Sequence, residues 1–311
     1  MSDPNPLPSW VDGPNKSAIL DFVARVTNED GPDFRPAAER IATFDNDGTL
    51  WCEFPLLVQL LFTLAEVKRL PLSQRPELLD NPAYKAFLAG DSRTVASLPK
   101  QEVVEAAFAV HAGMTVDDFA SIVGKWFSTA RHPTLGRLVL DNTYQPQQEL
   151  LAYLRANDFK TFIVTGGGIE FVRVVSQRLY GIPAEQVIGS STRCSLETIE
   201  GNLALRKLPG MGSFDDRDEK VVNISLHLGR RPIFAFGNSD GDLSMLRYTL
   251  QGDGARLGLL LHHDDAAREF AYDRDFKTSP LNDGLEQADA YGIHLVSMKN
   301  EWRNVFSSAS L

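Results

Sequence analysis

Two aspartates separated by one residue follow directly after a short apolar segment near the start of the chain. The segment Ile41–Phe44 is followed at once by the polar run Asp45–Thr49. We predict a buried strand that ends on this run, because open α/β sheets place their ligands at the carboxyl ends of strands. In an extended backbone, Asp45 and Asp47 project from one face and Asn46 from the other. Both carboxylates could therefore act on one substrate.

This pair of carboxylates suits the transfer of a phosphoryl group. Asp45 could attack phosphorus to form an aspartyl-phosphate, which splits one difficult displacement into two easier ones. Asp47 could protonate the leaving oxygen and then take a proton from the water that hydrolyses the intermediate. A simple turn is an alternative, since turns favour Asp, Asn and Gly. A calcium loop would need a late acidic ligand, and the residues from Thr49 to Cys52 supply none.

Two further apolar runs and one lysine could complete such a site. The first run ends in Thr165, Gly166 and Gly167, before a helix predicted over Ile169–Tyr180. A hydroxyl and free backbone N–H groups at a helix N-terminus bind phosphate oxygens, although a plain glycine-rich turn is the alternative. Lys220 could neutralise the nucleophile and the transferring phosphoryl group, or it could be a solvated surface residue.

The second run leads into Gly237–Asp242, which again offers oxygen ligands at a strand end. Asn238 and Asp242 are the candidate metal-site residues here, and Asp240 is a weaker third. Oxygen ligands of this kind are what magnesium prefers in proteins. The segment therefore predicts a Mg2+ site next to Asp45.

Four motifs thus follow one another along the chain: Asp45–Thr49, Thr165–Gly167, Lys220 and Gly237–Asp242. In this order they resemble the motifs of the haloacid dehalogenase-like superfamily, and within it those of phosphatases of the phosphoserine phosphatase type. The resemblance implies an α/β fold with a three-layer Rossmann-like core, a mainly parallel sheet, a Mg2+ ion and an aspartyl-phosphate intermediate. In this resemblance Asp45 is nucleophile and metal ligand, and Asp47 is the acid/base that lends its backbone carbonyl to the metal. The phosphoryl group would be held by Thr165, Gly166, Gly167 and Lys220, and the metal by Asp45, Asp47, Asn238 and Asp242.

One position departs from the family pattern, because Asn238 stands where such phosphatases usually have an aspartate. The amide oxygen can still bind magnesium but carries no charge, so we expect weaker metal binding or a closer approach of Asp242. The presence of Asp47 disfavours a dehalogenase, which needs no general acid there. Phosphonate cleavage through a Schiff base would need a cap lysine, for which Lys68, Lys85 and Lys100 are candidates by location.

The segment after the first motif has the pattern of a helical insertion. Apolar residues recur at spacings of three and four in 56–67, and similar faces occur in 103–110 and 117–127, with Thr115 as a candidate N-cap. We predict a helical cap domain over 51–142 and an α/β core formed by 1–50 and 143–311. The resemblance implies that the cap closes over the site and selects small substrates.

Glu53 lies just past the nucleophile motif and could bind the leaving group, as a glutamate in this place does in phosphoserine phosphatases. The alternative is a solvated carboxylate. His262 and His263 could also reach the site, although we expect loop residues there. Near the end of the chain, a strand over Ile293–Met298 and an apolar helix that includes Trp302 are predicted.

The composition is consistent with an enzyme that acts on small-molecule substrates. The chain has 311 residues and a net charge of −10, and no basic patch indicates binding to nucleic acid or to an anionic membrane. Residues 1–8 contain no apolar signal core, so we expect a cytoplasmic protein. Both chain ends should extend the core, with a homodimer contact as the alternative.

These features together predict a Mg2+-dependent phosphomonoesterase acting on a small phosphorylated metabolite through an aspartyl-phosphate. One alternative is a phosphotransferase or mutase of the same superfamily, which would exclude water from the intermediate. Another is a catalytically idle protein that binds phosphate or metal, which the altered Asn238 keeps open.

Overall fold

The computed structural model describes residues 5–69 and 80–307. The helices are Pro14–Thr27 (α1), Val58–Glu66 (α2), Pro82–Ala89 (α3), Ser92–Ser97 (α4), Lys100–Val110 (α5), Val116–Phe127 (α6), Gln145–Ala156 (α7), Ile169–Tyr180 (α8), Asp218–Leu228 (α9), Leu243–Leu250 (α10), Asp283–Tyr291 (α11) and Met298–Glu301 (α12). The strands are Ile41–Phe44 (β1), Lys160–Gly168 (β2), Val187–Ile199 (β3), Asn202–Ser213 (β4), Phe234–Gly237 (β5), Leu257–Asp264 (β6), Ala271–Tyr272 (β7) and His294–Ser297 (β8). Within those two ranges, no helix has the length and apolar character needed to cross a bilayer.

A mostly parallel sheet places β1 between β2 and β5. The strand order is β4-β3-β2-β1-β5-β6-β7, and β8 also pairs with β6. Phe44 lies opposite Ile163 of β2 and Phe236 of β5, both in parallel register. The antiparallel pairs are β3 with β4 and β6 with β7. The carboxyl ends of β1, β2 and β5 therefore meet at one edge, which brings the motifs that follow them together.

Successive side chains of the inner strands enter two different apolar clusters. In β2, Ile163 belongs to one cluster and Val164 to the other, and in β5 Phe234 and Ala235 divide in the same way. Because successive residues of a strand point to opposite faces, the sheet is buried on both sides by helices. The predicted three-layer Rossmann-like core is confirmed.

A third apolar cluster lies in the helical insertion after β1. Leu60 of α2 and Phe87 of α3 belong to it, whereas Phe119 of α6 joins the main cluster of the core. The Thr115 side chain accepts a hydrogen bond from the backbone at the start of α6, so the predicted N-cap is confirmed. The helices α2 to α5, called the cap helices below, thus have their own apolar contacts, and the bounds 51–142 for a cap domain stay a prediction.

The two ends of the chain pack against each other. α1 contributes to the main apolar cluster, as predicted for an extension of the core. The expected apolar helix around Trp302 is wrong, since α12 ends at Glu301. Trp302 and Phe306 instead form single β-bridges with Trp10 and Tyr144. Backbone groups used in these bridges cannot continue a helix, so the apolar side chains enter the core from an extended segment.

Candidate active site

The nucleophile motif is fixed by the strand before it and by the glycine within it. The backbone N–H of Asp45 donates to the carbonyl oxygen of Phe236 at 2.9 Å, which continues the ladder between β1 and β5. Gly48 has a φ of 77°, which favours glycine. A Cβ there would lie 2.0 Å from Asn238 Nδ2 and 2.4 Å from Glu53 Oε1. Conformation and space therefore both require a glycine after the second aspartate.

Lys220 joins the acidic groups of two motifs. It lies in the first turn of α9, and its Nζ donates to Oδ1 of Asp45 and Oδ1 of Asp242, each at 2.6 Å, and to the carbonyl of Val164 at 2.9 Å. Its side chain is only 2% exposed, so the surface alternative is wrong. Burial disfavours its charge, but Asp242 and Asp45 outweigh that effect and raise the pKa of Lys220. The group therefore remains an ammonium ion.

The carboxylates around Lys220 leave a shortage of positive charge. Burial and the charge of Asp242 raise the pKa of Asp45 well above its usual range, although Lys220 opposes this. A nucleophilic Asp45 must be ionised, and two buried carboxylates share one ammonium here. A cation bound beside Asp45 would remove this imbalance.

The oxygen atoms near Asp45 are of the types that a hard cation binds. No group of three or more His, Cys, Asp or Glu side chains is arranged to hold a metal within the described residues. A cation would therefore also need neutral oxygen ligands. The candidates from the sequence are the backbone carbonyl of Asp47 and the side-chain amide of Asn238. Magnesium accepts such a mixed set and keeps several waters. Asn238 Oδ1 also accepts the Thr49 hydroxyl at 3.1 Å. The donor set fits Mg2+ in type and in charge.

Asp242 already has donors on both of its carboxylate oxygens. Its Oδ2 accepts the backbone N–H groups of Asn238 at 3.0 Å and Ser239 at 3.1 Å, and Lys220 occupies Oδ1. Asp242 therefore orders the loop after β5 and holds Lys220 in place. Direct metal binding by Asp242 stays a prediction.

Asp240 caps the start of α11. Its oxygens accept hydrogen bonds from the backbone N–H groups of Asn282, Asp283 and Gly284, at the start of α11. A carboxylate with backbone donors at a helix N-terminus is favourably placed there. Metal binding by Asp240 stays a prediction, and these donors already use its oxygens.

Asp47 has the surroundings of a carboxyl group that can hold a proton. The indole N–H of Trp51 donates to its Oδ1 at 2.9 Å. Burial raises the pKa of Asp47, although this hydrogen bond and the charge of Lys100 lower it. A Cβ on Gly167 would lie 3.4 Å from Asp47 Oδ2, so the glycine leaves room beside the carboxyl. A raised pKa is what a general acid needs near neutral pH.

The threonine and glycine motif forms a distorted end of β2. Thr165 Oγ1 accepts the N–H of Gly167 at 3.0 Å, and the pairing with β3 shifts register between Thr165 and Gly168. The helix α8 begins at the next residue, as predicted. Gln59 of α2 accepts the N–H of Gly168 at 2.6 Å, so a cap helix contacts this motif. The backbone N–H groups here lie at a strand-to-helix junction, which suits binding of an anion.

Lys100 is a residue of this site that no motif indicates. It is the first residue of α5, its Nζ donates to Asp216 at 2.9 Å, and it lies 3.2 Å from where a Cβ on Gly166 would be. Burial disfavours its charge, but Asp216 outweighs this and the pKa of Lys100 is raised. Schiff-base chemistry at Lys100 stays an alternative from the sequence. Lys68 and Lys85 do not line the cavity beside Asp45.

That cavity brings most of the predicted site residues together. Its lining consists of Asp45, Asp47, Leu57, Lys100, Thr165, Gly166, Gly167, Lys220, Ser239 and Ser279. Sequence reasoning gave no role at the site to Leu57, Ser239 or Ser279, although Ser239 lies within Gly237–Asp242, and it named Lys100 only as one of three candidate cap lysines. Asn238, Asp242 and Glu53 do not line the cavity.

Glu53 lies behind the nucleophile loop and is completely buried. Its Oε1 accepts from Asn238 Nδ2 at 2.8 Å and from the Tyr272 hydroxyl at 3.1 Å, and its Oε2 accepts from Ser279 at 2.6 Å. The solvated alternative is therefore wrong. Burial raises the pKa of Glu53 to about 7. Its binding of substrate stays a prediction, and three protein donors use its oxygens here.

His263 supports the same loop from β6. Its Nε2 lies 2.8 Å from the carbonyl oxygen of Gly48, and its Nδ1 lies 3.2 Å from Glu269. The expectation that His262 and His263 are loop residues is wrong, because β6 extends to Asp264. Burial opposes its charge, but Glu269 outweighs this and raises the pKa of His263. With an acceptor at each ring nitrogen, a charged imidazole fits this position.

A family model described as haloacid dehalogenase-like hydrolase matches residues 42–247, more than half of the chain. The chain belongs to this family. The predicted superfamily is thereby confirmed, and the match includes all four motifs and the cap helices. No curated protein matches the chain at a significant level.

Two solved structures of proteins of unknown function share the fold. A conserved protein of unknown function from Anaerococcus prevotii DSM 20548 has a TM-score of 0.58 at 16% identity, with 91% of each chain covered. A protein of unknown function from Bordetella pertussis Tohama I has a TM-score of 0.51 at 16% identity, and covers 83% of this chain and 98% of its own. At these identities the likeness shows the fold alone.

Proposed function

We propose that this haloacid dehalogenase-like protein is a Mg2+-dependent phosphomonoesterase that hydrolyses a small phosphorylated metabolite, as the phosphoserine phosphatase branch does. The observation that carries the proposal is the bridge from Lys220 to Asp45 and Asp242 beside the cavity that Asp47 and Thr165 also line. Family membership supports a hydrolase. The acid/base candidate in that cavity supports an ester with a poor leaving group.

In the first step, a carboxylate oxygen of Asp45 forms a bond to phosphorus while the ester P–O bond breaks. The Asp47 carboxyl gives its proton to the leaving oxygen, which departs as an alcohol. In the second step, Asp47 takes a proton from water, and the water oxygen bonds to phosphorus as the bond to Asp45 breaks. Inorganic phosphate leaves, and both carboxyl groups return to their starting states.

The other residues of the cavity hold negative charge. Lys220 keeps Asp45 oriented, and the Thr165 hydroxyl and the backbone N–H groups of Gly166 and Gly167 bind phosphoryl oxygens. Mg2+ would be held by Asp45, Asp47, Asn238 and Asp242, and it would supply positive charge that offsets the charge of the nucleophile and the phosphoryl group. This arrangement compensates for a chain whose net charge of −10 does not attract phosphate esters at long range.

Entry of a substrate requires movement of the cap helices. The cavity has a volume of about 10 Å³, which is about one water molecule and far less than a phosphate ester. Leu57 and Lys100, next to α2 and in α5, form its cap side. We therefore expect these helices to open for binding and to close during the reaction, which excludes bulk water.

Phosphate release from a panel of small phosphomonoesters tests this function. The protein and its Asp45→Asn variant are assayed with Mg2+ and with EDTA, and a surface variant, Asp117→Asn, serves as the matched control. We expect release that depends on Mg2+, that is lost in Asp45→Asn and that persists in the control. No release from any ester by the wild type would reject the phosphomonoesterase and favour phosphotransfer or a binding role.

A further inference from the structure

A second cleft adjoins the cavity beside Asp45. It has a volume of about 360 Å³ and shares Lys100 and Ser239 with that cavity. Its other lining residues are Gln101, Phe214, Asp216, Arg217, Gly241, Lys277, Thr278 and Pro280. Because the two spaces have residues in common, they are adjacent, and a leaving group that extends from Asp45 past Lys100 and Ser239 would enter this cleft.

The charge of the cleft is positive. It contains three cationic side chains and one carboxylate, and that carboxylate, Asp216, is paired with Lys100. Arg217 and Lys277 are exposed and have no ion-pair partner in the part of the chain that the structure describes. Two unpaired cations in one cleft attract an anion locally, even though the whole chain is acidic.

Arg217 is held in an unusual backbone conformation. Its φ is 54° and its ψ is −122°, outside the small left-handed region that non-glycine residues adopt. Its N–H donates to the carbonyl of Gly241 at 3.0 Å, which fixes it against the fourth motif. Strained residues of this kind cluster at ligand-binding and active sites, because the surrounding structure must stabilise them.

We propose that the cleft binds a second anionic oxygen group of the substrate through Arg217 and Lys277. The inference rests on the proposed phosphomonoesterase function and narrows its substrates to small phosphate esters that carry another carboxylate or phosphate. Arg217 offers a planar pair of donors that matches such a group, and Lys277 adds a point charge. These residues determine specificity and do not take part in bond breaking.

Two esters with the same three-carbon skeleton test this inference. Glycerol 3-phosphate ends in a hydroxymethyl group, whereas 3-phosphoglycerate ends in a carboxylate. We expect a higher kcat/KM for 3-phosphoglycerate, and Arg217→Gln and Lys277→Gln should each reduce this preference by about tenfold, mainly through KM. Arg178→Gln, an exposed arginine on α8, is the matched control and should keep the preference. Equal losses for both esters, or no change in the preference, would overturn the inference.

Binding measured by titration calorimetry separates this inference from the proposed function. If the wild type turns over neither these esters nor p-nitrophenyl phosphate, the phosphomonoesterase has failed. The cleft is then judged by affinity alone. Tighter binding of 3-phosphoglycerate than of glycerol 3-phosphate, reduced by Arg217→Gln and by Lys277→Gln, would still support it. Equal affinities for the two compounds would refute it.

Discussion

The two sides of the candidate active site are built differently. On the core side, Lys220 is 2% exposed and binds Asp45 and Asp242, which follow neighbouring strands of one sheet. On the cap side, Lys100 is 20% exposed and Asp216 is 13% exposed, and their ion pair joins two elements that can separate. The core side therefore contributes both to stability and to chemistry, whereas substitution on the cap side, or its opening, should change the free energy of unfolding little.

Removal of the central core-side cation should have the largest effect. Lys220→Met leaves Asp45 and Asp242 buried together without their ammonium, so we expect the free energy of unfolding to fall by about 3–5 kcal/mol. Activity should fall by about 100-fold or more. Urea unfolding and phosphate release measure both, with the exposed Lys125→Met as control. A variant as stable and active as the control would show that Lys220 is needed neither for stability nor for catalysis.

The next largest effect should be on catalysis alone. Asp47→Asn keeps an oxygen that can accept the Trp51 indole N–H, so the fold should persist, but it cannot donate the proton. We expect kcat to fall by about 10²–10⁴ for an alkyl phosphate and by much less for p-nitrophenyl phosphate, whose leaving group needs little protonation. Initial rates on the two esters test this. Equal losses would show that Asp47 is not the general acid.

Because Glu53 is buried, we predict that the free energy of unfolding depends on pH. Its folded-state pKa is raised from 4.5 to about 7. The folded state therefore holds a proton that the unfolded state releases, and stability present below pH 4.5 is lost as the pH rises through 7. Between pH 5 and pH 7.5, with EDTA, the wild type should lose up to about 3 kcal/mol more than Glu53→Gln. Parallel losses in urea unfolding would contradict this.

The smallest effect should come from the cap side. Lys100→Gln removes a partly exposed ion pair, so we expect the free energy of unfolding to change by less than about 1 kcal/mol. The kcat/KM should still fall by about tenfold, because the cation lies next to the phosphate-binding glycines. Lys85→Gln, an exposed lysine on α3, is the matched control. A loss of stability as large as that of Lys220→Met would show that the two sides contribute equally to the free energy of unfolding.

The parts of the site that follow strands of the sheet could be predicted from the sequence. Asp45, Thr165 and Asp242 come after apolar runs. Parallel strands bring such positions together at the carboxyl edge of the sheet, independently of how the other segments pack. The core fold follows from the same pattern. Lys220 had only a weak signal in the sequence, because a single lysine could equally be a solvated surface residue, and the resemblance strengthened that prediction.

Features that depend on packing between distant segments could not be predicted. Lys100 reaches the site only because the cap helices fold over it, and spacing could not separate it from two other cap lysines. Asp240 looks like a metal ligand in sequence, but α11 supplies backbone donors that use its oxygens. His263 was expected in a loop because nothing local shows that β6 continues beneath Gly48.

Rapid acid quenching of a single turnover tests whether Asp45 forms a covalent intermediate with the phosphoryl group. The protein is mixed with Mg2+ and an ester labelled with ³²P that the panel shows to be turned over, and the quenched protein is digested. We expect a transient label on the peptide that contains Asp45. Hydroxylamine should remove this label, and it should be absent in Asp45→Asn. Phosphate release with no label on the protein, or a label on another peptide, would contradict the aspartyl-phosphate account.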